Sequence, residues 1–219
     1  MREEIIGDCR LILSDCREVL PSIGKMDAVV TDPPYGLGDR MQGGTWGSKD
    51  KYSKMRLWDQ SAPQEAINTL KDIGSHFIIW GGNYFHLPPS RCWLIWDKLN
   101  AVKTMSDFEM AWTNLDRTAK RFSHPVGFHA YGHPTEKPLS LMQWCLQQLP
   151  EACGTILDPF MGTGTTGVAC VKRGQKFTGI EIEPKYFDIA CMRIEDAYKQ
   201  PDMFIEARAL PEQLSLSST

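Results

Sequence analysis

The chain has no long apolar run. None of its 219 residues falls in a stretch that approaches the ~18–20 apolar residues needed to cross a bilayer. Its first residues, MREEIIGDCR, are charged and lack the apolar core of a signal peptide. We therefore expect a cytoplasmic protein without a membrane partner.

Paired metal ligands are also missing. Seven cysteines occur, and no two of them form a C-x-x-C pair, which argues against a zinc site or a disulfide framework. His129 and His133 are spaced as on one helix face, but Gly132 and Pro134 in the same stretch disfavour a helix. We expect reduced, mostly buried thiols and no metal.

An excess of basic charge is absent: 24 Lys and Arg stand against 27 Asp and Glu, so the formal net charge of −3 does not by itself indicate a nucleic-acid partner. Its distribution is uneven, because basic residues cluster in two segments while acids predominate over 181–212. A solvated surface is one interpretation of such clusters, and a polyanion-binding face is the other. The candidate DNA-contacting residues are Arg40, Lys49, Lys51, Lys54, Arg56, Arg117, Lys120 and Arg121.

Short apolar runs alternate with helix-like stretches along the whole chain. This alternation predicts an α/β fold with a mostly parallel sheet flanked by helices. We predict a single domain over 1–207, a mobile glycine-containing loop over 36–62 and a frayed tail over 208–219.

One strand ends in an unusual way, in the sequence VVTDPPYGLG at 29–38. Pro33 and Pro34 have no N–H to donate, so they stop the sheet ladder and form a stiff elbow. The elbow holds Asp32 and Tyr35 at the strand's end, where a carboxylate and an aromatic ring face one site.

A glycine loop follows a later strand, in LDPFMGTGTTG at 157–167. Gly162, Gly164 and Gly167 have the G-x-G-x-x-G spacing, and Glu181 ends the next strand, where it can accept from ribose hydroxyls. A phosphate-cradling NTP loop is disfavoured because no Lys-Ser/Thr pair follows. Asp158 would repel a pyrophosphate, which weakens a nicotinamide site, and would favour the cationic S-adenosylmethionine. A purely structural glycine turn is the remaining alternative.

If the ligand is S-adenosylmethionine, the elbow acquires a role in methylating an aromatic amine. The Asp32 carboxylate and the Pro33 carbonyl can each accept one N–H of the amine and turn its lone pair toward the methyl group. Tyr35 can stack on the base, which must first leave its duplex.

Together the two motifs resemble those of the DNA amino-methyltransferases, whose signatures are D/S/N-P-P-Y/F/W and D-P-F-x-G-[ST]-G-T-T. They appear here as DPPY at 32–35 and DPFMGTGTT at 158–166, with the elbow first, as in the circularly permuted beta-type members. LSDCREVL, HPTEKPLSLM and GIEIEPKYFDIA match further segments of that family. The resemblance implies a Rossmann-like S-adenosylmethionine-dependent methyltransferase fold.

The resemblance also assigns residues by motif. It implies a catalytic set of Asp32, Pro33, Pro34 and Tyr35. It implies a cofactor-binding set of Asp15, Cys16, Thr135, Lys137, Asp158, Pro159, Phe160, Gly162, Gly164, Thr165 and Glu181. It leaves only a short segment, 113–132, to recognise the DNA sequence together with the 36–62 loop, which predicts a short or relaxed recognition site.

The function that follows is transfer of a methyl group to the 6-amino group of adenine in DNA, since D-P-P-Y in this family favours adenine. The 4-amino group of cytosine is the nearest alternative, followed by an RNA or protein amino-methyltransferase, an idle DNA-binding module and, more distantly, a nicotinamide oxidoreductase. Small enzymes of this kind occur in restriction systems and in prophages, so a restriction nuclease is a candidate partner. Dimers are common in the family, although this sequence carries no interface signature.

Overall fold

The computed structural model describes residues 1–37, 63–100, 106–126 and 136–200. In these parts of the chain nine strands form one sheet. The strands are β1 (Arg2–Ile6), β2 (Cys9–Leu13), β3 (Met26–Thr31), β4 (Gly74–Trp80), β5 (Trp93–Asp97), β6 (Phe108–Thr113), β7 (Lys120–Ser123), β8 (Thr155–Asp158) and β9 (Lys176–Glu181). The helices are α1 (Cys16–Val19), α2 (Gln64–Leu70), α3 (Leu139–Gln148), α4 (Thr165–Val171) and α5 (Pro184–Lys199), with 3₁₀ turns at Leu20–Ser22 and Gly82–Tyr84.

The strand order is β1-β2-β9-β8-β3-β4-β6-β5-β7. Five neighbouring strands in this order, β2, β9, β8, β3 and β4, are mutually parallel. β1 runs antiparallel to β2, β6 runs antiparallel to β4, and β5 runs antiparallel to β6. The predicted α/β class with a mostly parallel sheet is confirmed.

Helices cover both faces of the sheet, as the alternating pattern predicts. On one face α3, α4 and α5 bury side chains such as Leu141, Cys170 and Ile194 against the strands. On the other face α1 and α2 bury Val19 and Ile67 in a second cluster. Both faces of the central strands are therefore apolar, which explains their near-continuous hydrophobic runs.

Two strands were not predicted from the sequence. β1 reads REEII and β7 reads KRFS, and both are edge strands with largely exposed side chains. Their charged composition suits an edge, where it hinders pairing with other chains, and it hides the strand signal. β7 also occupies part of the segment 113–132. Most of the predicted 36–62 loop and the whole 208–219 tail lie outside the described residues.

The longest described helix, α5, has 16 residues. Among the helices of the described ranges, none is long and apolar enough to span a membrane.

The carboxyl ends of the parallel strands meet at one edge of the sheet. β3 ends at Thr31 and runs into the elbow, β8 ends at Asp158 and β9 ends at Glu181. In open α/β sheets this is the edge at which ligands bind. The fold thus brings the elbow and the glycine loop, distant in sequence, to one place.

Candidate active site

Both carboxylate oxygens of Asp32 have partners. The Tyr35 hydroxyl donates to Asp32 Oδ1 at 2.6 Å, and the Lys137 ammonium donates to Asp32 Oδ2 at 2.5 Å. Burial raises the pKa of Asp32, and the nearby Lys137 charge opposes that rise. The elbow therefore presents an oriented acid rather than a freely rotating one.

The ring of Tyr35 lies against a second aromatic ring. Its centroid is 4.9 Å from that of Tyr84, with 17° between the planes. Gly81 makes the approach possible, because its φ is +65° and a Cβ there would lie 2.1 Å from Tyr35 Cε1. Tyr84 is 46% exposed, so an aromatic surface opens to solvent next to Asp32.

Lys137 is buried between two acids. Its ammonium lies 2.5 Å from Asp32 Oδ2 and 3.0 Å from Glu109 Oε2, and Lys98 Nζ lies 2.5 Å from Glu109 Oε1. Burial acts to raise the pKa of Glu109, but Lys137 and Lys98 bring it down to about 2. Burial acts to lower the pKa of Lys137, and Asp32 and Glu109 reverse this and raise it. Glu109 and Lys137 are therefore both charged near neutral pH.

The sequence interpretation missed Glu109 and Lys98. Each had a signal, since Glu109 is a charged residue inside the apolar strand FEMAW and Lys98 directly follows WLIWD. Lys137 was predicted to bind a cofactor, and the structure brings it to Asp32 instead of to the glycine loop. A direct cofactor contact by Lys137 stays a prediction.

The glycine loop turns sharply from β8 into α4. Gly162 and Gly164 have φ values of +53° and +80°, in the left-handed region that glycine tolerates. Gly164 also lets the loop pack on α5, because a Cβ there would lie 2.8 Å from Ala190 Cβ. Pro159 and Thr165 are buried and Phe160 is half-buried. The loop is thus a fixed turn at the edge of the sheet.

Asp158 is held inside the protein, with 3% of its surface exposed. Its Oδ1 accepts from the Thr31 hydroxyl at 2.7 Å and from the Phe160 N–H at 3.1 Å, and its Oδ2 accepts from the Thr166 hydroxyl at 2.7 Å. Burial raises the pKa of Asp158 to about 6. These bonds make Asp158 the link between β3, β8 and α4.

Glu181 closes the loop from β9. Its Oε2 accepts from the Gly162 N–H at 2.9 Å, and its Oε1 accepts from the N–H groups of Ile182 and Glu183. Burial raises the pKa of Glu181 to about 7. The carboxylate is fixed beside the loop, as an acid that binds ribose hydroxyls would need to be.

Asp15 and Cys16 follow Ser14, whose N–H donates to the backbone carbonyl of Glu181 at 3.0 Å. Asp15 caps α1 by accepting from the Arg17 N–H, and the hydrogen bonds from the Arg17 side chain lower the pKa of Asp15. Burial raises the pKa of the Cys16 thiol to about 12, so it is neutral and unreactive.

A buried ion pair ties the loop to the segment before α3. Arg193 Nη1 lies 2.7 Å from Glu136 Oε1 and donates to the Thr163 carbonyl at 2.8 Å, while the Thr165 hydroxyl donates to Glu136 at 3.2 Å. Two adjacent residues therefore contact different parts of the site: Glu136 contacts the glycine loop, and Lys137 contacts the elbow. Sequence reasoning did not find Glu136 or Arg193.

The predicted DNA-contacting residues are only partly described. Lys120 and Arg121 are exposed on β7, and Arg121 lies 3.8 Å from Asp97. Arg117 donates to the Gln148 carbonyl at the end of α3, which fixes it to the domain. Thr135 and the candidates in the 36–62 loop, Arg40, Lys49, Lys51, Lys54 and Arg56, lie outside the described residues. Within the described ranges, no group of three or more His, Cys, Asp or Glu side chains is placed to hold a metal.

Comparison with known families gives a match over residues 96–192 to the N6/N4 methyltransferase model, described as DNA methylase. The type II methyltransferase M.HpaI of Haemophilus parainfluenzae is 24% identical, with 95% of this chain and 81% of that relative aligned. The alignment spans both the elbow and the glycine loop.

Two solved structures share the fold. The M1.HpyAVI–SAM complex aligns with a TM-score of 0.58 and 22% identity, covering 85% of this chain and 98% of the other. The cytosine-N4-specific PvuII DNA methyltransferase aligns with a TM-score of 0.58 and 14% identity, covering 89% and 92%. The Rossmann-like methyltransferase fold is confirmed.

Proposed function

We propose that this member of the N6/N4 DNA methylase family transfers a methyl group from S-adenosylmethionine to the 6-amino group of adenine in DNA. One observation carries the proposal. Thr31, the residue before the catalytic acid Asp32, is hydrogen-bonded at 2.7 Å to Asp158, the residue that begins the glycine loop. The groups suited to an amine and those suited to the cofactor therefore belong to one rigid site.

The residues around the loop fit the proposed cofactor. Glu181 offers a fixed carboxylate to ribose hydroxyls, and Ser14, the neighbour of Asp15, is hydrogen-bonded to the Glu181 carbonyl, which supports the proposed adenine end of the site there. Asp158 adds negative charge that disfavours a pyrophosphate. When bound, S-adenosylmethionine supplies the methyl group from its positively charged sulfonium.

The elbow then acts on the amine. Asp32 accepts one N–H and the Pro33 carbonyl accepts the other, which pulls the nitrogen toward tetrahedral geometry and frees its lone pair. The hydroxyl of Tyr35 holds Asp32 Oδ1 at 2.6 Å while its ring offers a face to the base. Positioning and electrostatics carry the catalysis in this scheme.

Adenine is the proposed base because the elbow begins with Asp32. In the family that these motifs resemble, D-P-P-Y is associated with the 6-amino group of adenine and S-P-P-Y with the 4-amino group of cytosine. The target base has to leave the duplex before its amine reaches Asp32, since the amine is inaccessible in the stack.

DNA binding is proposed for the basic residues of β7 and of the 36–62 loop. Lys120 and Arg121 are exposed at the sheet edge, where phosphates could approach. We propose that segment 113–132 and this loop read a short or relaxed recognition sequence within one catalytic domain, 1–207. Methylome sequencing that finds a long, strict motif would contradict this part.

Incubation with labelled S-adenosylmethionine and unmethylated duplex DNA tests the function, with the modified nucleoside identified by mass spectrometry. The expected product is 6-methyladenine. A 4-methylcytosine product would correct the base and keep the enzyme class. Methylation of RNA without any methylation of DNA would overturn the proposal.

A further inference from the structure

We propose that Lys137 is a positioning residue that acts through Asp32, holding its carboxylate charged and oriented, and that Glu109 balances Lys137 so that the ammonium stays buried there. This inference rests on the proposed function for its catalytic meaning. Its structural content concerns the protein itself, a connected set of charges formed by the buried lysines Lys98 and Lys137 and the half-buried acids Glu109 and Asp32.

The geometry leaves Lys137 little freedom. Its side chain is 6% exposed, and its ammonium lies between carboxylates 2.5 and 3.0 Å away on opposite partners, Asp32 and Glu109. The rings of Trp80 and Tyr35 lie 5.6 and 5.9 Å from the same nitrogen. A lysine normally samples many rotamers, so this enclosure fixes where its charge is applied.

Each charge in this set has a partner of opposite sign. Asp32 pairs with Lys137, Lys137 also pairs with Glu109, and Glu109 pairs with Lys98 at 2.5 Å. Two acids and two bases sum to zero, which avoids the large cost of a buried unpaired charge. Removing one member therefore changes the balance for its neighbours in a predictable direction.

Groups on several elements shift the charge state of Asp32 in opposite directions. Lys137, before α3, favours its charged form, and so does the Tyr35 hydroxyl of the elbow. Glu109 on β6 disfavours it, and Asp32 and Asp158 repel each other across the site. Cys145 on α3 is the other titratable group that faces Lys137, and burial keeps its thiol neutral. Lys137 is the only full positive charge among the groups the structure places against Asp32.

The chemistry explains why the charge matters. An ionised carboxylate accepts the amine N–H more strongly than a neutral carboxyl group does, and only the ionised form can take up a proton. When the amine nitrogen forms its bond to the methyl group, the carbon–sulfur bond breaks, and one N–H proton must leave the nitrogen. Asp32 lies where it can take that proton and pass it to water. Glu109 keeps Lys137 in place while Asp32 is briefly neutral.

A carboxyl titration of the cofactor-free protein tests the inference without using activity. The protein is labelled with ¹³C at aspartate carboxyls, and the Asp32 resonance is identified by its loss in Asp32→Asn. In Lys137→Met the Asp32 pKa should rise by roughly one to three units, as expected when an opposite charge is lost. In Glu109→Gln it should fall, because a repelling charge is removed while Lys137 remains.

The matched control is Lys98→Met. It removes the other buried lysine of this set of charges, which contacts Glu109 and not Asp32. It should lower the melting temperature but move the Asp32 pKa much less than Lys137→Met does. The acid limb of the rate–pH profile should shift in the same directions as the titration in each variant.

Equal Asp32 titrations in the wild type and Lys137→Met, or equal shifts in Lys137→Met and Lys98→Met, would overturn the inference. If Lys137→Met does not fold, the Glu109→Gln variant provides the test. An Asp32 pKa that is unchanged or raised in Glu109→Gln would overturn the inference. If the Asp32 pKa rises in Lys137→Met and falls in Glu109→Gln, but the wild type methylates no nucleic acid, the proposed function is refuted and the electrostatic role of Lys137 is retained.

Discussion

The Thr31 hydroxyl donates a hydrogen bond of 2.7 Å to Asp158 Oδ1, across 127 positions of sequence. Thr31 is the last residue of β3, and Asp158 is the last residue of the adjacent parallel strand β8. Both residues are buried, so the bond is shielded from water. It joins the elbow to the glycine loop, and so links the proposed amine site to the proposed cofactor site.

Replacing Thr31 with Val should therefore destabilise the protein and weaken cofactor binding together. Loss of a donor to a buried carboxylate costs about 1–3 kcal/mol of unfolding free energy. Because Asp158 also orders Phe160 and Thr166, its displacement should disturb the loop. Urea unfolding and calorimetric titration with S-adenosylmethionine measure the two effects.

Thr113→Val is the matched control for that variant. Thr113 is equally buried, and its hydroxyl donates at 2.6 Å to the Cys92 carbonyl, on the other side of β4 from the loop. It should lose similar stability while cofactor affinity stays unchanged. Equal loss of affinity in the two variants would show that Thr31 has no special relation to the loop.

Asp32→Ala should abolish methyl transfer while leaving cofactor binding largely intact. Asp32 contacts Tyr35 and Lys137 and makes no hydrogen bond to the glycine loop among the contacts described. Removing a preorganised group of this kind commonly costs at least ~100-fold in rate. Single-turnover transfer to duplex DNA gives the rate, and calorimetry gives the affinity. A large loss of affinity would mean that Asp32 belongs to the cofactor site.

Gly81→Ala should reduce transfer through Tyr35. The added Cβ would lie 2.1 Å from Tyr35 Cε1, so the ring would have to move and carry its hydrogen bond to Asp32 with it. We expect a rate loss of at least about tenfold, the factor that corresponds to 1.4 kcal/mol.

Gly174→Ala separates backbone strain from that ring displacement. Gly174 has the same φ of +65°, but a Cβ there would meet nothing within 4 Å. Both variants should lose roughly 1–2 kcal/mol of stability to the left-handed backbone. Only Gly81→Ala should lose activity, and equal activity loss in both would refute a role for the Tyr35 position.

Much of this fold could be predicted because local patterns and tertiary structure agree. The apolar run before Asp32 forms β3, Pro184 lies where a proline is favoured, at the start of α5, and Gly174, just beyond α4, has the left-handed φ of a helix-terminating glycine. β1 was missed because its surface charges carry no strand pattern. An edge strand is specified by its neighbour rather than by its own alternation.

The motifs located the site but not its electrostatics. Asp32 and Glu181 are recognisable because they lie within short sequence segments that resemble those of a known family. Glu109 lies on β6 and Lys98 directly follows β5, two strands that pair only in the folded sheet, and their link to Lys137 depends on long-range register. A pairing of this kind has no local pattern, so it becomes visible only when the three side chains are placed in space.

Cofactor affinity should fall as the pH is lowered from 8 to 6.5. Burial raises the pKa of Glu181 to about 7, so its carboxylate is ionised at pH 8 and mostly protonated at pH 6.5, where it accepts ribose hydroxyls less well. The weakening should be severalfold and at most about tenfold per unit below that pKa. Asp158, whose pKa is about 6, stays largely ionised over this range.

Glu181→Gln removes the titrating group and should bind S-adenosylmethionine weakly at both pH values, with a flat profile.

The raised pKa of Glu181 also makes the stability of the folded protein depend on pH, with a definite sign. The folded protein holds the Glu181 proton more tightly than the unfolded chain, so this group's stabilisation is complete below about pH 4.5 and is lost as the pH rises through about 7. Between those values the wild type should lose more unfolding free energy than Glu181→Gln, as measured by urea titrations at pH 5 and 7.5. A wild-type affinity that does not change between pH 6.5 and 8 would remove Glu181 from the cofactor site.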